Sequence, residues 1–313
     1  MTQSTAPAQN DFFLTDITAA TGAIDDIALS VASDFDAQTF GLFLQDAKAL
    51  FAGDYPGYRA SNTMYHDFSH TISVVLATVR LIHGCMVDGF RFSGREVLLT
   101  LTAALFHDVG LIQKSEDTQG SGAKYTVGHE ERSIVFLREY FARGVFSDEE
   151  IETCANFIRC TILSYRPREL TFTSDSTKRL GFIVGAADLM AQMADRLYLE
   201  KLLLLYKEFE EARLPGFDSE LQLLQKTKDF YEIVARKRFD EDLESVHAHM
   251  RSHFKGWFDS PVDGYTEAID GNIRYLEALI DQCQDCFRCY LENLKRGGIA
   301  EPLLESLPPP SGS

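Results

Sequence analysis

Ala103-Ala104-Leu105-Phe106-His107-Asp108-Val109-Gly110 sets an imidazole and a carboxylate side by side at the end of an apolar helical run. A lone carboxylate is costly to bury, so a His-Asp pair delivered from such a run needs partners. Two other stretches supply them. Upstream, Tyr65-His66-Asp67-Phe68-Ser69-His70 carries two imidazoles; downstream, Ala186-Ala187-Asp188-Leu189-Met190 sets a second acid among apolar residues. Taken singly, each of these residues reads as an ordinary hydrogen-bonded core or surface group. Together, three helical segments that each deliver imidazole or carboxylate from an apolar face point to a divalent-metal site. His66 and His70 are four apart and share a helix face, so His70 can ligate a metal while His66 points toward what that metal holds. His70, His107, Asp108 and Asp188 form a mixed N/O set that suits Mn, Fe, Co, Ni, Zn or Mg as the divalent ion without choosing among them.

Helix signals continue outward from this stretch. Residues 95–107, 69–85 and 39–52 read as apolar or amphipathic helices, and 110–128 as a loop rich in Gly, Ser and Thr. Residues 130–141 and 148–162 are helical, the second opened by the cap Ser147 and a run of acids that suits the helix dipole. A polar connection at 164–177 leads to a long helical stretch, 180–209, with a break expected near Gly185. After the turn Leu214-Pro215-Gly216 come two long helices, 219–254 and 266–296. Strand-like alternation is scarce, so an all-α fold is expected. Its parts would be a disordered N-terminus (1–10), an N-terminal helical extension (11–59), a metal-binding catalytic core (60–212), a C-terminal helical extension packed on it (213–305) and a disordered tail (306–313).

Composition narrows the partners. In 313 residues, 45% hydrophobic and 25% charged content is ordinary for a globular chain. The net charge of −17 would repel nucleic-acid polymers and anionic lipid, whereas a bound metal would reverse the field locally for a small anion. No apolar run reads as the roughly 20 residues of a membrane span, and residues 1–10 do not read as a secretory signal. The six cysteines are too sparse for a disulfide framework, which suits a cytoplasmic location. Cys283, Cys286 and Cys289 would spread around a continuous helix with no fourth ligand for zinc, and read as packing thiols. His247, His249 and His253 read as a solvated helix face, and His83 has no partner in sequence.

The order His70, His107-Asp108, Asp188 resembles the HD superfamily of metal-dependent phosphohydrolases. Tyr65-His66-x-x-x-His70 is similar to the Tyr-His-Asn-x-x-His signature of class I cyclic nucleotide phosphodiesterases and of small bacterial HD hydrolases. His129-Glu130-Glu131-Arg132-Ser133 and Phe157-Ile158-Arg159-Cys160-Thr161 resemble later motifs of the bacterial group. The resemblance spans about residues 60–200. It implies that His70, His107, Asp108 and Asp188 ligate the first metal and that His66 donates a proton to the leaving oxygen. Asp67 stands where the phosphodiesterases have Asn, and no residue matches their purine-gripping Gln, which counts against a cyclic nucleotide.

The implied activity is cleavage of a small-molecule phosphate ester by metal-activated water, with a nucleotide the favoured substrate. Asp108 would bridge metals or accept the water's proton. His129 would bind a second metal or phosphate, or orient water through Glu130. Tyr65, Arg132 and Arg159 are the candidates for holding substrate; Arg196 and Lys124 are further cations. No histidine lies between His129 and Asp188, so one tight metal with a weak second site is expected over a His-rich di-iron centre. Homo-oligomerisation stays open. Two alternatives stand beside this reading: a nucleotide-sensing regulatory protein without turnover, and an HD-fold di-iron oxygenase. The presence of His66 favours catalysis, since binding alone needs no proton donor.

Overall fold

The computed structural model describes residues 16–142 and 144–308. The expectations for residues 1–10 and 309–313 lie outside them. The fold is all-α: thirteen α-helices and no strand among the described residues, with one isolated bridge between Tyr58 and Lys114. The helices are α1 (Ile17–Val31), α2 (Ala37–Ala52), α3 (Phe68–Val87), α4 (Gly94–Phe106), α5 (His129–Phe141), α6 (Asp148–Arg159) and α7 (Asp175–Ala194). They continue with α8 (Tyr198–Glu211), α9 (Glu220–Asp229), α10 (His249–Phe258), α11 (Gly264–Cys283), α12 (Phe287–Asn293) and α13 (Glu301–Ser306). Their starts are set locally. Ser93 with Glu96 and Ser147 with Glu150 form capping boxes, and Asp16, Asp36, Asp67 and Asp263 cap other first turns.

α3 is the central helix, packed by α1, α4, α7 and α10. It is long and apolar enough to cross a membrane, contrary to the reading of its broken apolar run, and most of it is buried inside the protein. α4 lies against α3, α6 and α7, while α8, α9 and α11 form a second group on one side. Buried Glu200 of α8 anchors the C-terminal segment by accepting from the backbone N–H groups of Gly297 and Ile299.

Three long helices expected from periodicity are interrupted. The break in 180–209 falls at 195–197, not at Gly185. Gly185 sits inside α7, where a Cβ would stand 2.3 Å from the Cys160 carbonyl oxygen; it permits close packing on the end of α6. The stretch 219–254 is α9, two π-helical turns (Phe230–Ala235 and Arg238–Asp242), a 3-10 turn and the start of α10. The stretch 266–296 breaks at Gln284, whose φ is 47°. That break corrects the reading of the cysteines: Cys283 and Cys289 are joined by a disulfide, their Cα atoms 5.4 Å apart, and Cys286 is free.

Arg238, buried in the second π-helical turn, donates to the carbonyls of Cys160 (2.9 Å), Ile162 (2.8 Å) and Tyr165 (2.6 Å). It thereby holds the chain after α6 in place. Buried carbonyls left without donors are costly, so Arg238→Ala is expected to destabilise by about 3 kcal/mol, measured by urea unfolding. A loss well under 1 kcal/mol would mean that water replaces the guanidinium.

His253 does not face solvent. It is fully buried, with Nδ1 3.1 Å from Nδ1 of His83 and its ring beside Trp257, while His249 pairs with Asp88. Burial, then the charges of Arg80 and His83, push the His253 pKa down to about 2, and burial lowers that of His83. Both rings are neutral when folded and take up protons when unfolded. The unfolded state therefore binds more protons below about pH 6.5. The stability from this pair is complete above that pH and is lost as pH falls toward the folded values. His253→Phe is expected to flatten the dependence of Tm on pH between about 6.5 and 5. An unchanged slope would show that the pair charges within the folded protein.

Candidate metal centre

Four segments converge on one cavity of about 630 Å³. His107 follows α4, and its Nδ1–H donates to the Ala104 carbonyl (2.7 Å). In the neutral ring this leaves the Nε2 lone pair pointing at Asp108 Oδ2, 3.2 Å away. Neither atom has a hydrogen-bond partner, and both are buried. Acceptor facing acceptor inside a protein is unfavourable unless a proton or cation lies between them. His70, in the first turn of α3, brings Nε2 to 3.6 Å from the same Asp108 oxygen. The ligand atoms of His70, His107 and Asp108 lie within 4.8 Å of one another; this buried group could hold a metal ion. Asp188, from the middle of α7, adds Oδ1 at 3.3 Å from His70 Nε2 and 3.6 Å from His107 Nε2.

Electrostatics agree with that donor set. Burial opposes charge on His107, but the Asp108 and Asp188 carboxylates outweigh it and hold its pKa well above the usual value. Burial also opposes ionisation of Asp108 and Asp188, yet the surrounding imidazoles hold both below the usual carboxylate range. The cluster draws positive charge, and a dication entering it would displace the protons.

The backbone around the centre is close-fitted. Ser133 Oγ donates to the His107 carbonyl and accepts from the Gly110 N–H. A Cβ on Gly110 would stand 1.9 Å from the His129 carbonyl oxygen, so Gly110 lets the first turn of α5 lie against the His-Asp turn. His129, the first residue of α5, donates from Nδ1 to the Thr126 carbonyl (2.9 Å) and places Nε2 3.1 Å from the other Asp108 oxygen, Oδ1. Burial opposes charge on His129, but the hydrogen bond to Asp108 raises its pKa to about 9. Glu130 Oε2 lies 3.4 Å from His129 Nδ1.

His66 reaches the cavity for a different reason than helical spacing. α3 begins only at Phe68, and Asp67 is its N-cap, accepting from the His70 N–H. His66 is held from outside the helix by Glu208 of α8, 142 residues away, which accepts from His66 Nδ1 at 2.6 Å and from the Tyr65 N–H at 2.6 Å. Burial disfavours the charged ring, but Glu208 outweighs it and raises the His66 pKa. Sequence reading missed Glu208. Its signal was the one that marked Asp188: an acid at helical spacing from apolar residues, here three after Leu205.

Tyr65 lines the cavity beside the His66 and His70 rings. Arg132 and Arg159 do not line it. Arg132 donates to the Gly110 carbonyl (2.7 Å) and covers the Tyr125 ring, while Arg159 is paired with Glu131 and Glu152. Lys124 pairs with Asp117, and Asp195 with Lys201. The extension after residue 212 also contributes to the wall, through Phe217, Leu223, Lys226 and Phe230.

Fold and site together define an all-α protein whose cavity carries a buried His/Asp group able to take a metal ion. Residues 113–251 match the model of a family described as Npun_R2479-like. The matched stretch carries His129, Asp188 and Glu208; His66, His70, His107 and Asp108 precede it. No curated protein matches the chain.

Proposed function

We propose that this protein is a metal-dependent phosphohydrolase acting on a phosphate ester of a small molecule. The observation that carries the reading is a metal-competent His/Asp group facing the same cavity as an imidazole backed by a buried carboxylate. His70, His107, Asp108 and Asp188 would hold the cation. When bound, such an ion would neutralise charge on the ester and lower the pKa of water, so that hydroxide is available as the nucleophile near neutral pH.

The chain's own groups supply the rest. Glu208 accepts a hydrogen bond from His66 Nδ1–H and favours the charged ring, so Nε2 carries a proton for the leaving oxygen. General-acid help of this kind is worth roughly 10²–10⁴-fold. By also binding the Tyr65 N–H, Glu208 fixes the backbone that aims the ring.

The test is phosphate release from nucleoside monophosphates and triphosphates, cyclic nucleotides, alkyl phosphates and bis(p-nitrophenyl) phosphate. The protein would be stripped and reloaded separately with Mn²⁺, Co²⁺, Ni²⁺, Mg²⁺ and Fe²⁺. Turnover with at least one ester is expected. Stoichiometric metal binding without turnover of any ester would sink the hydrolase reading and favour a sensor.

One observation favours a second reading. Asp108 directs one oxygen toward His70 and His107 and the other toward His129, so Asp108 and His129 would help to hold a second cation. Two irons per chain with oxygen uptake and no phosphate release would move the weight to an oxygenase, since two metals alone also suit a hydrolase; one ion per chain would remove that reading.

A further inference from the structure

Away from the His/Asp centre the cavity is walled by hydrocarbon. Tyr198, Leu202, Leu205 and Phe209 line it from α8, at spacings of four, three and four that keep to one helix face. A stripe of that span is about 16 Å long. Phe217, Leu223 and Phe230 add to the wall from the C-terminal extension, and Phe217 stacks on Phe209 with ring centroids 5.9 Å apart. The rim continues the pattern: Val127, Leu163 and Tyr165 line the cavity yet are 70%, 46% and 40% exposed.

Three polar side chains on this wall are already engaged, and Ser164, Gln192, Tyr165 and Tyr198 also line the cavity. Thr161 Oγ1 donates to the Ile158 carbonyl and Thr227 Oγ1 to the Leu223 carbonyl, each at 2.8 Å, and Lys226 Nζ donates to the Gly216 carbonyl at 2.9 Å. Among the described residues Lys226 is the one lysine or arginine lining the cavity, against the carboxylates of Asp108, Glu130, Glu131 and Asp188. A sugar and base would bring several donors and acceptors to a surface that offers them few partners, and unpaired buried polar groups are heavily penalised. A hydrocarbon chain brings none, and gains with every methylene it buries.

We infer that the substrate is an amphiphile: a phosphate ester of a straight hydrocarbon chain. Its head meets the His/Asp centre and its chain lies along the Tyr198–Phe209 stripe of α8. The identity of the head rests on the phosphohydrolase reading; the chain does not.

The experiment is calorimetric titration of the metal-loaded protein with alkylphosphonates from butyl to dodecyl, each below its micelle-forming concentration, beside nucleoside monophosphates. Affinity is expected to rise about fourfold per methylene through the series, whose longest member is about as long as the stripe. Leu205→Trp, which fills the wall, is expected to weaken dodecylphosphonate at least about tenfold while metal stoichiometry stays as in the parent. The chain-length series on the unmodified protein decides the question even if that variant does not fold. Affinity independent of chain length, or nucleoside monophosphates binding more tightly than octylphosphonate, overturns the inference. In parallel assays of the corresponding alkyl phosphates, which unlike the phosphonates carry a cleavable ester, phosphate release without chain-length dependence overturns it and leaves the hydrolase reading intact. Chain-length-dependent binding of the phosphonates without phosphate release from the alkyl phosphates supports the amphiphile and removes the hydrolase reading.

Discussion

Asp108→Asn is expected to leave the chain folded and unable to hold its metal. The substitution conserves shape but removes the one carboxylate that approaches three imidazoles, His70, His107 and His129, at 3.6, 3.2 and 3.1 Å. An amide cannot supply the charge that makes this cluster attract a dication. Metal added to stripped parent protein at about a thousandfold excess over its Kd should stabilise it by about 4 kcal/mol, seen as a rise in Tm. The variant should show no rise and no metal by elemental analysis. If the cation contributes several kcal/mol to the chemical step, turnover should fall by about 10³-fold or more. A variant that keeps the parent's metal content and metal-dependent Tm would show that Asp108 is not a ligand.

The second large effect is expected at His66. His66→Asn should lower turnover of alkyl phosphates by roughly 10²–10⁴-fold, because an alkoxide leaves poorly without a proton. The same variant should lose less than about tenfold on p-nitrophenyl esters, whose leaving group needs little protonation. Glu208→Gln should reproduce part of the alkyl-ester loss, since a neutral amide no longer favours the charged ring, and should change metal content not at all. Glu208 is thus a positioning residue, and leaving-group dependence is the readout that a merely structural role would not move. Equal losses on both ester types would remove His66 from the proton-donor role.

The region around His107-Asp108 was legible because its chemistry is local. Apolar periodicity marks α4 and α7, and an acid or imidazole interrupting that periodicity marks the residues that meet in the cavity. The helical spacing of His66 and His70 does not operate: the helix starts after His66, and a carboxylate on another helix holds its ring in place. Arg132 and Arg159 looked like phosphate binders because a guanidinium suits phosphate. In the fold one is committed to a carbonyl and an aromatic ring, the other to two glutamates. His253 looked solvated because its neighbours in sequence are charged, whereas its neighbours in space are His83 and Trp257.

By itself the sequence determined the helical class, the caps that start the helices, and the order of imidazoles and carboxylates that can meet a metal. Periodicity and capping depend on residues within a turn or two of one another, so they can be read along the chain. Tertiary structure alone decided where the long apolar stretches break, that Cys283 folds back to Cys289, that Glu208 backs His66, and that residues beyond 212 complete the cavity with hydrocarbon. Each of these depends on which distant surfaces bury one another. A continuous run of apolar residues can be buried either as one straight helix or as two that turn, and the packing between helices makes that choice.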